Sequence, residues 1–185
     1  MDISKLLSES WSKFSANLVQ AIILYLVGGI VGSLLAGLTL GIAGVPVFAG
    51  MYKAFRKIQQ GGIADFSDLF SEFSNFAKWF MLWLLMLVVG LVSGITFGLA
   101  GIAAAFLLFF LIPLMIDKDM AAFDAAKESL NKVKDNFGTL FVPILVVILV
   151  AGAGSIAFYI GIIVTAPWMM VATWMLYDHA YGAAE

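Results

Sequence analysis

Three stretches of this chain contain no Asp, Glu, Lys or Arg: Phe14–Tyr52, Trp79–Ile116 and Asn136–Tyr177. Each is about 40 residues long, whereas about 20 residues of helix cross the ~30 Å hydrocarbon core of a bilayer. Each stretch therefore predicts a helical hairpin that crosses twice. The midpoints GSLLAGLTLGIAG (Gly32–Gly44), GLVSGITFGLAG (Gly90–Gly101) and AGAGSIAFYIG (Ala151–Gly161) carry the glycines a tight turn needs. The same glycines also permit close helix packing.

Composition agrees with a bilayer as solvent. The 185 residues are 63% hydrophobic and 12% charged, with a mean hydropathy of +1.04. Soluble domains run at roughly 45–50% apolar and about 25% charged. A net charge of −2 offers no basic field for nucleic acid. The chain has no cysteine, which excludes disulfides, thiolate metal sites and Cys nucleophiles. The first charge-free run follows Asp2, Lys5, Glu9 and Lys13, of mixed sign. It is far longer than the ~7–15 residues of a signal-peptide core, so we read the N-terminus as retained.

Two crossings per stretch place every charged residue on one side of the membrane. That side holds Lys5, Lys13, Lys53, Arg56, Lys57, Lys78, Lys118, Lys127, Lys132 and Lys134. The positive-inside rule makes it the cytoplasmic face of an inner membrane, with both termini inside.

Charged segments precede each hairpin, and apolar residues recur along them at helical spacing. They are Ile3, Leu6, Leu7, Trp11, Phe14 and Leu18 in the first, then Phe66, Leu69, Phe70, Phe73, Phe76 and Phe80 in the second. The third has Met120, Phe123, Ala126, Leu130, Val133 and Phe137. Such stripes predict amphipathic helices lying in the interface, with Phe66, Phe70, Phe73, Phe123 and Leu130 facing the acyl chains. Asp65 or Ser67 is placed to cap the second helix, and Asp117 or Asp119 the third. The predicted fold is all-α: six transmembrane helices as three hairpins, each preceded by an interfacial helix. Residues 1–185 form one membrane domain with parallel pseudo-repeats at 1–60, 64–118 and 119–182. Each unit has a proline in its second crossing helix, Pro46, Pro113 and Pro167. These are the candidate kinks that open a cavity between hairpins.

Chemistry is sparse. No ionisable residue lies at depth to couple ions. The mild polar residues Gln20, Tyr25, Ser33, Thr39, Ser93, Thr96, Ser155, Tyr159, Thr165 and Thr173 are expected to bond their own helix or a neighbour. His179, the only histidine, lacks companions for a zinc or catalytic site. Asp117, Asp119, Asp124 and Glu128 show no calcium-loop pattern. No catalytic, cofactor or metal residue is assigned. Trp11, Trp79, Trp83, Trp168, Trp174 and Tyr177 are expected to anchor in the interface. Lys53, Arg56 and Lys57 form a candidate group for anionic lipid.

Two segments resemble a known pattern. GVPVFAGMYKAFRKIQQGGIADFSDLF (Gly44–Phe70) joins a proline-bearing helix, a positive end, Gly-Gly and a short helix. LIPLMIDKDMAAFDAAKESLNKVKDNFG (Leu111–Gly138) joins a proline, Asp and an Ala-Lys-x-Ser helix ending in Asn. Together they resemble the uncharacterised prokaryotic six-helix integral membrane proteins similar to the membrane domain of some glycerophosphoryl diester phosphodiesterases. The resemblance implies a six-crossing fold and no established activity, and the phosphodiesterase chemistry belongs to a separate soluble domain. The expected role is a scaffold, accessory subunit or lipid-binding membrane protein, with membrane lipids and other membrane proteins as partners. The alternative is a transporter or channel for a small uncharged or apolar solute.

Overall fold

The computed structural model describes residues 2–156 and 161–182, and these are helical throughout apart from short connections. In chain order the helices are α1 (Ile3–Ala16), α2 (Leu18–Leu38) and α3 (Gly44–Gln59), a 3-10 segment (Phe66–Asn75), then α4 (Phe76–Ile95) and α5 (Leu99–Leu107). They continue as α6 (Leu111–Asp117), α7 (Ala122–Asp135), α8 (Phe137–Ile156) and α9 (Ile162–Tyr181).

The units share local devices. Asn17, Asn75 and Asn136 each join a surface element to a long apolar helix. Their φ values are −126°, −105° and −113°, with ψ between 28° and 33°. This bend ends one helix and starts the next in a new direction. The first two hairpin turns also match. GLTLGIAG (Gly37–Gly44) and GITFGLAG (Gly94–Gly101) place a pair of consecutive residues in the left-handed region, Leu40 with Gly41 and Phe97 with Gly98. In each turn a threonine hydroxyl donates to the carbonyl four residues back, Leu35 or Val92, and accepts from an N–H four residues on, Ala43 or Ala100. Most of the third turn, with Tyr159 and the side chain of Ser155, lies outside the described residues.

Among the described residues four helices, not six, are long and apolar enough to span a bilayer: Leu18–Leu38, Phe66–Ile95 (beginning with the 3-10 segment), Leu99–Asp117 and Phe137–Gly154. The expectation of six crossings is therefore corrected at α3 and α9. The 16 residues of α3 reach only ~24 Å, and its last turns carry Lys53, Arg56 and Lys57. The 20 residues of α9 include Pro167, two Trp and, near the end, Asp178 and His179. Both helices are packed on most sides, α3 chiefly by the 3-10 segment, α2 and α9, and α9 chiefly by α8, α1 and α3. Their solvent is protein, so lipid-like composition is not required of them.

The surface segments differ from expectation in which face they bury. In α1 the buried line is Leu6, Ser10 and Phe14 against α9, while Trp11 is half exposed. In α7 it is the small residues Ala122, Ala125 and Ser129 with Val133. Residues 66–75 form a 3-10 helix because their pattern repeats every three residues: Phe70, Phe73 and Phe76; Ser71 and Ser74; Glu72 and Asn75. Asp65 caps this segment in a capping box with Asp68. The third cap was misplaced, since the residue before α7 is Ala121 and makes no side-chain cap. Asp2 caps α1.

Between α5 and α6 the helix breaks over three residues just before Pro113. Ser129 of α7 closes the break: its hydroxyl donates to the Leu107 carbonyl at 2.9 Å and accepts from the Phe110 N–H at 3.1 Å. Ser129 is fully buried, so Ser129→Ala strands two backbone groups. We expect a loss of about 1–3 kcal/mol, read as a lower unfolding midpoint in mild detergent. Ser129→Gly and Ser129→Ala destabilising no more than Ser8→Ala on exposed α1 would contradict this account.

Candidate functional site

The second helix of each unit brings one charged residue to a common point. Arg56 of α3 has a guanidinium nitrogen 2.6 Å from Asp178 of α9 and another 3.9 Å from Asp117 of α6. The Asp178 contact is a close ion pair, not an aligned hydrogen bond. Gln59 accepts from Arg56 at 3.1 Å and donates to Asp178 at 3.0 Å. The Tyr177 hydroxyl donates to Asp117 at 2.8 Å. The guanidinium also lies 4.6 Å from the ring centre of Trp174, whose indole N–H donates to the Tyr52 carbonyl. The Arg56 and Asp178 side chains are only 16% and 19% exposed, so the low local dielectric strengthens their pairing.

Neighbouring charges are also matched across elements. Lys57 pairs with Asp68 at 2.6 Å and Lys53 with Glu72 at 2.9 Å. Lys78 pairs with Asp119 at 2.5 Å and donates to the Met115 carbonyl. Lys13 donates to the Gln59 carbonyl at 2.6 Å. These contacts gather the charged ends of α1, α3, α4, α6 and α9 in one layer. The hydrogen bond from Lys78 holds the Asp119 carboxyl below its usual range. The Ser67 backbone N–H does the same for Asp65. Lys53, Arg56 and Lys57, the sequence candidate for anionic lipid, are thus each committed to a carboxylate.

Buried acids set the orientation of the 3-10 segment. Asp68 and Glu72 point at α3, and Glu72 also accepts from the buried Trp79 indole at 3.0 Å. The opposite edge then presents Phe66 and Phe70, about half exposed, beside the less exposed Phe73. On α7, Phe123 and Leu130 are likewise outside, with Ala126 partly so.

Pro46, Pro113 and Pro167 are all buried, and none lines the cavities described next. Each instead adjoins one. Val45 helps line a cavity of about 320 Å³ in the glycine-rich groove of α2 and α3. Ile112 helps line one of about 350 Å³ bounded by α3, α4, α5, α6 and α9. Trp168 helps line one of about 550 Å³ between α1, α8 and α9. Pro143, inside α8, departs from the pattern of one proline per second helix.

The largest of the three has nearly continuous apolar walls, with Leu7 and Trp11 on α1, Val150 on α8, and Val164 and Trp168 on α9. Ser4, Ser8 and Thr165 complete it, and Thr165 already donates to the Ala151 carbonyl. The opposite flank of α1 lines a charged cavity with Asp2, Lys5, Glu9 and Lys13. So α1 separates an apolar groove from a charged one, the arrangement a helix needs at a lipid–water boundary.

Trp79, Trp168, Trp174 and Tyr177 are buried, which corrects the expectation that they anchor in the interface. Each indole N–H is used internally: Trp168 donates to Ser10 at 3.0 Å, and Trp83 to the Leu40 carbonyl at 3.1 Å. Trp11 remains outside. The intramembrane hydroxyls Ser33 and Thr173 bond their own helices, and Gln20 donates to the Ala64 carbonyl. Among the described residues no group of three or more His, Asp or Glu is placed to hold a metal ion. Sequence reasoning missed the Arg56–Asp178 centre and the Ser10–Trp168 bond, because both partners lie far apart in the chain. No protein-family model, curated protein or solved structure matches this chain.

Proposed function

We propose that this protein is a non-enzymatic, multi-pass membrane protein that holds a lipid acyl chain beside α1 and serves as a scaffold or accessory subunit. The carrying observation is the groove of about 550 Å³ between α1, α8 and α9. Its apolar walls suit a hydrocarbon chain, and Trp11 is half exposed at its edge. Lipid-facing Phe66, Phe70, Phe73, Phe123 and Leu130 fit the same picture. The charged layer faces the cytoplasm in this reading, with both termini inside an inner membrane. The likeness to the membrane domain of glycerophosphoryl diester phosphodiesterases belongs to the same proposal, and a non-catalytic role agrees with it.

Native mass spectrometry after mild extraction tests the reading. Wild type should retain phospholipid, and Val164→Trp, which fills the groove, should retain severalfold less. A wild type that carries no lipid, or a variant that retains as much, refutes it.

The alternative, passage of a small apolar solute, draws on the apolar cavity of about 350 Å³ lined by Tyr52, Met86, Ala104, Ile112 and Met169 among others. Liposome flux, compared with the Pro46→Ala, Pro113→Ala and Pro167→Ala variants, tests it. Absence of flux in wild type removes it.

A further inference from the structure

Two of the lysines without a carboxylate partner among the described residues meet at one tyrosine ring. The ammonium of Lys118, at the end of α6, lies 4.5 Å from the ring centre of Tyr181 on α9. That of Lys132, on α7, lies 4.9 Å from the same ring. A tyrosine face attracts a cation without pairing its charge, and the Glu128 carboxylate acts on Tyr181 only from beyond ion-pair distance of the lysines. Glu128 stands one turn before Lys132. Yet among the described residues no carboxylate comes within ion-pair distance of either ammonium. Beside Lys132 is a cavity of about 110 Å³ lined by Lys132, Asn136, Thr139, Leu140, His179 and Ala180. It far exceeds the ~10–15 Å³ one water requires, and most of its named side chains are hydrogen-bonding. Asn136 is also the bend between surface helix α7 and the candidate spanning helix α8, where a lipid headgroup would lie if α8 crosses the bilayer.

We propose that Lys118, Lys132 and the polar cavity at Asn136 and Thr139 form a binding site for a phosphate group, that of an anionic phospholipid headgroup. In the central charged layer Lys13 donates to the Gln59 carbonyl. Arg56, Lys53, Lys57 and Lys78 each have a carboxylate within 4.0 Å. The lysine amines of the proposed site supply the charge, and Asn136 supplies an orienting donor through its second amide hydrogen, the first being donated to the Lys132 carbonyl and the Thr139 hydroxyl to the Asn136 carbonyl. The site does not depend on the acyl groove, which lies on the α1 side of α9.

The test uses the full chain in detergent micelles, titrated with phosphatidylglycerol, phosphatidylcholine or inorganic phosphate and followed by native mass spectrometry. Wild type should prefer phosphatidylglycerol over phosphatidylcholine. The variant K118Q/K132Q should bind phosphatidylglycerol about 30-fold more weakly, the loss expected for two lysines near a membrane surface. K127Q/K134Q, with the same charge change on exposed positions of α7, should keep the wild-type affinity. Inorganic phosphate that binds wild type but not K118Q/K132Q would assign the site to free phosphate and still support it. No preference in wild type, or equal losses in the two double variants, would overturn it. If K118Q/K132Q does not fold, K132Q alone decides by the same comparison, with about a fivefold loss expected.

Discussion

Arg56→Met lowers the unfolding free energy by about 2–4 kcal/mol, somewhat below the ~3–5 of a fully buried pair because both side chains keep a minor exposed fraction. The substitution keeps an apolar stem but removes the only cation within 4.0 Å of Asp178 among the described residues. Among the described residues it also leaves Asp117 with the Tyr177 hydroxyl as its remaining side-chain partner. Three helices lose their shared contact at once, since α3, α6 and α9 each supply one charged member. Asp178→Asn removes the stranded charge, so Arg56→Met/Asp178→Asn should recover much of the loss. A double-mutant cycle, followed by unfolding in mixed micelles, measures the coupling. Additive losses would mean that the pair does not hold the bundle together.

Gly50→Ala should cost about 2–3 kcal/mol. A Cβ at Gly50 would lie 2.5 Å from the backbone carbonyls of Asp68 and Leu69. Backbone atoms in a capped segment cannot rotate away, so α3 and the 3-10 segment must separate. Separation would weaken the Lys57–Asp68 and Lys53–Glu72 pairs, which bridge the same two elements. Gly29→Ala provides the contrast, because nothing lies within 4 Å of a Cβ there. Alanine is favoured over glycine inside a helix by about 1 kcal/mol, so that variant should be neutral or more stable. Equal effects of the two substitutions would rule out the close approach at Gly50.

Sequence periodicity located the helices better than it located their faces. The stripe Phe66, Phe70, Phe73 is legible as a helix, and its triplet spacing takes the 3-10 form in the structure. On α7 the conspicuous Phe123 and Leu130 drew attention, while the buried face consists of two alanines, Ser129 and Val133. Small residues give a weak hydropathy signal even where they define the closest packing. The tryptophans misled for a related reason. An indole at the end of an apolar run satisfies its N–H equally well on water or on a buried partner, and here Glu72, Ser10 and Tyr52 provide the partners for three of them.

Local patterns by themselves determined that the chain is helical, that its long apolar segments suit a bilayer, and that the first two glycine-rich midpoints turn back. Those features follow from charge spacing and from backbone requirements set by near neighbours. Only the tertiary structure decided that four helices have the length and composition to span while α3 and α9 are wrapped by protein. It alone decided which cations are spent on carboxylates and which stay open at Tyr181. Burial and charge pairing depend on groups brought together from different helices, and no single segment encodes its partners.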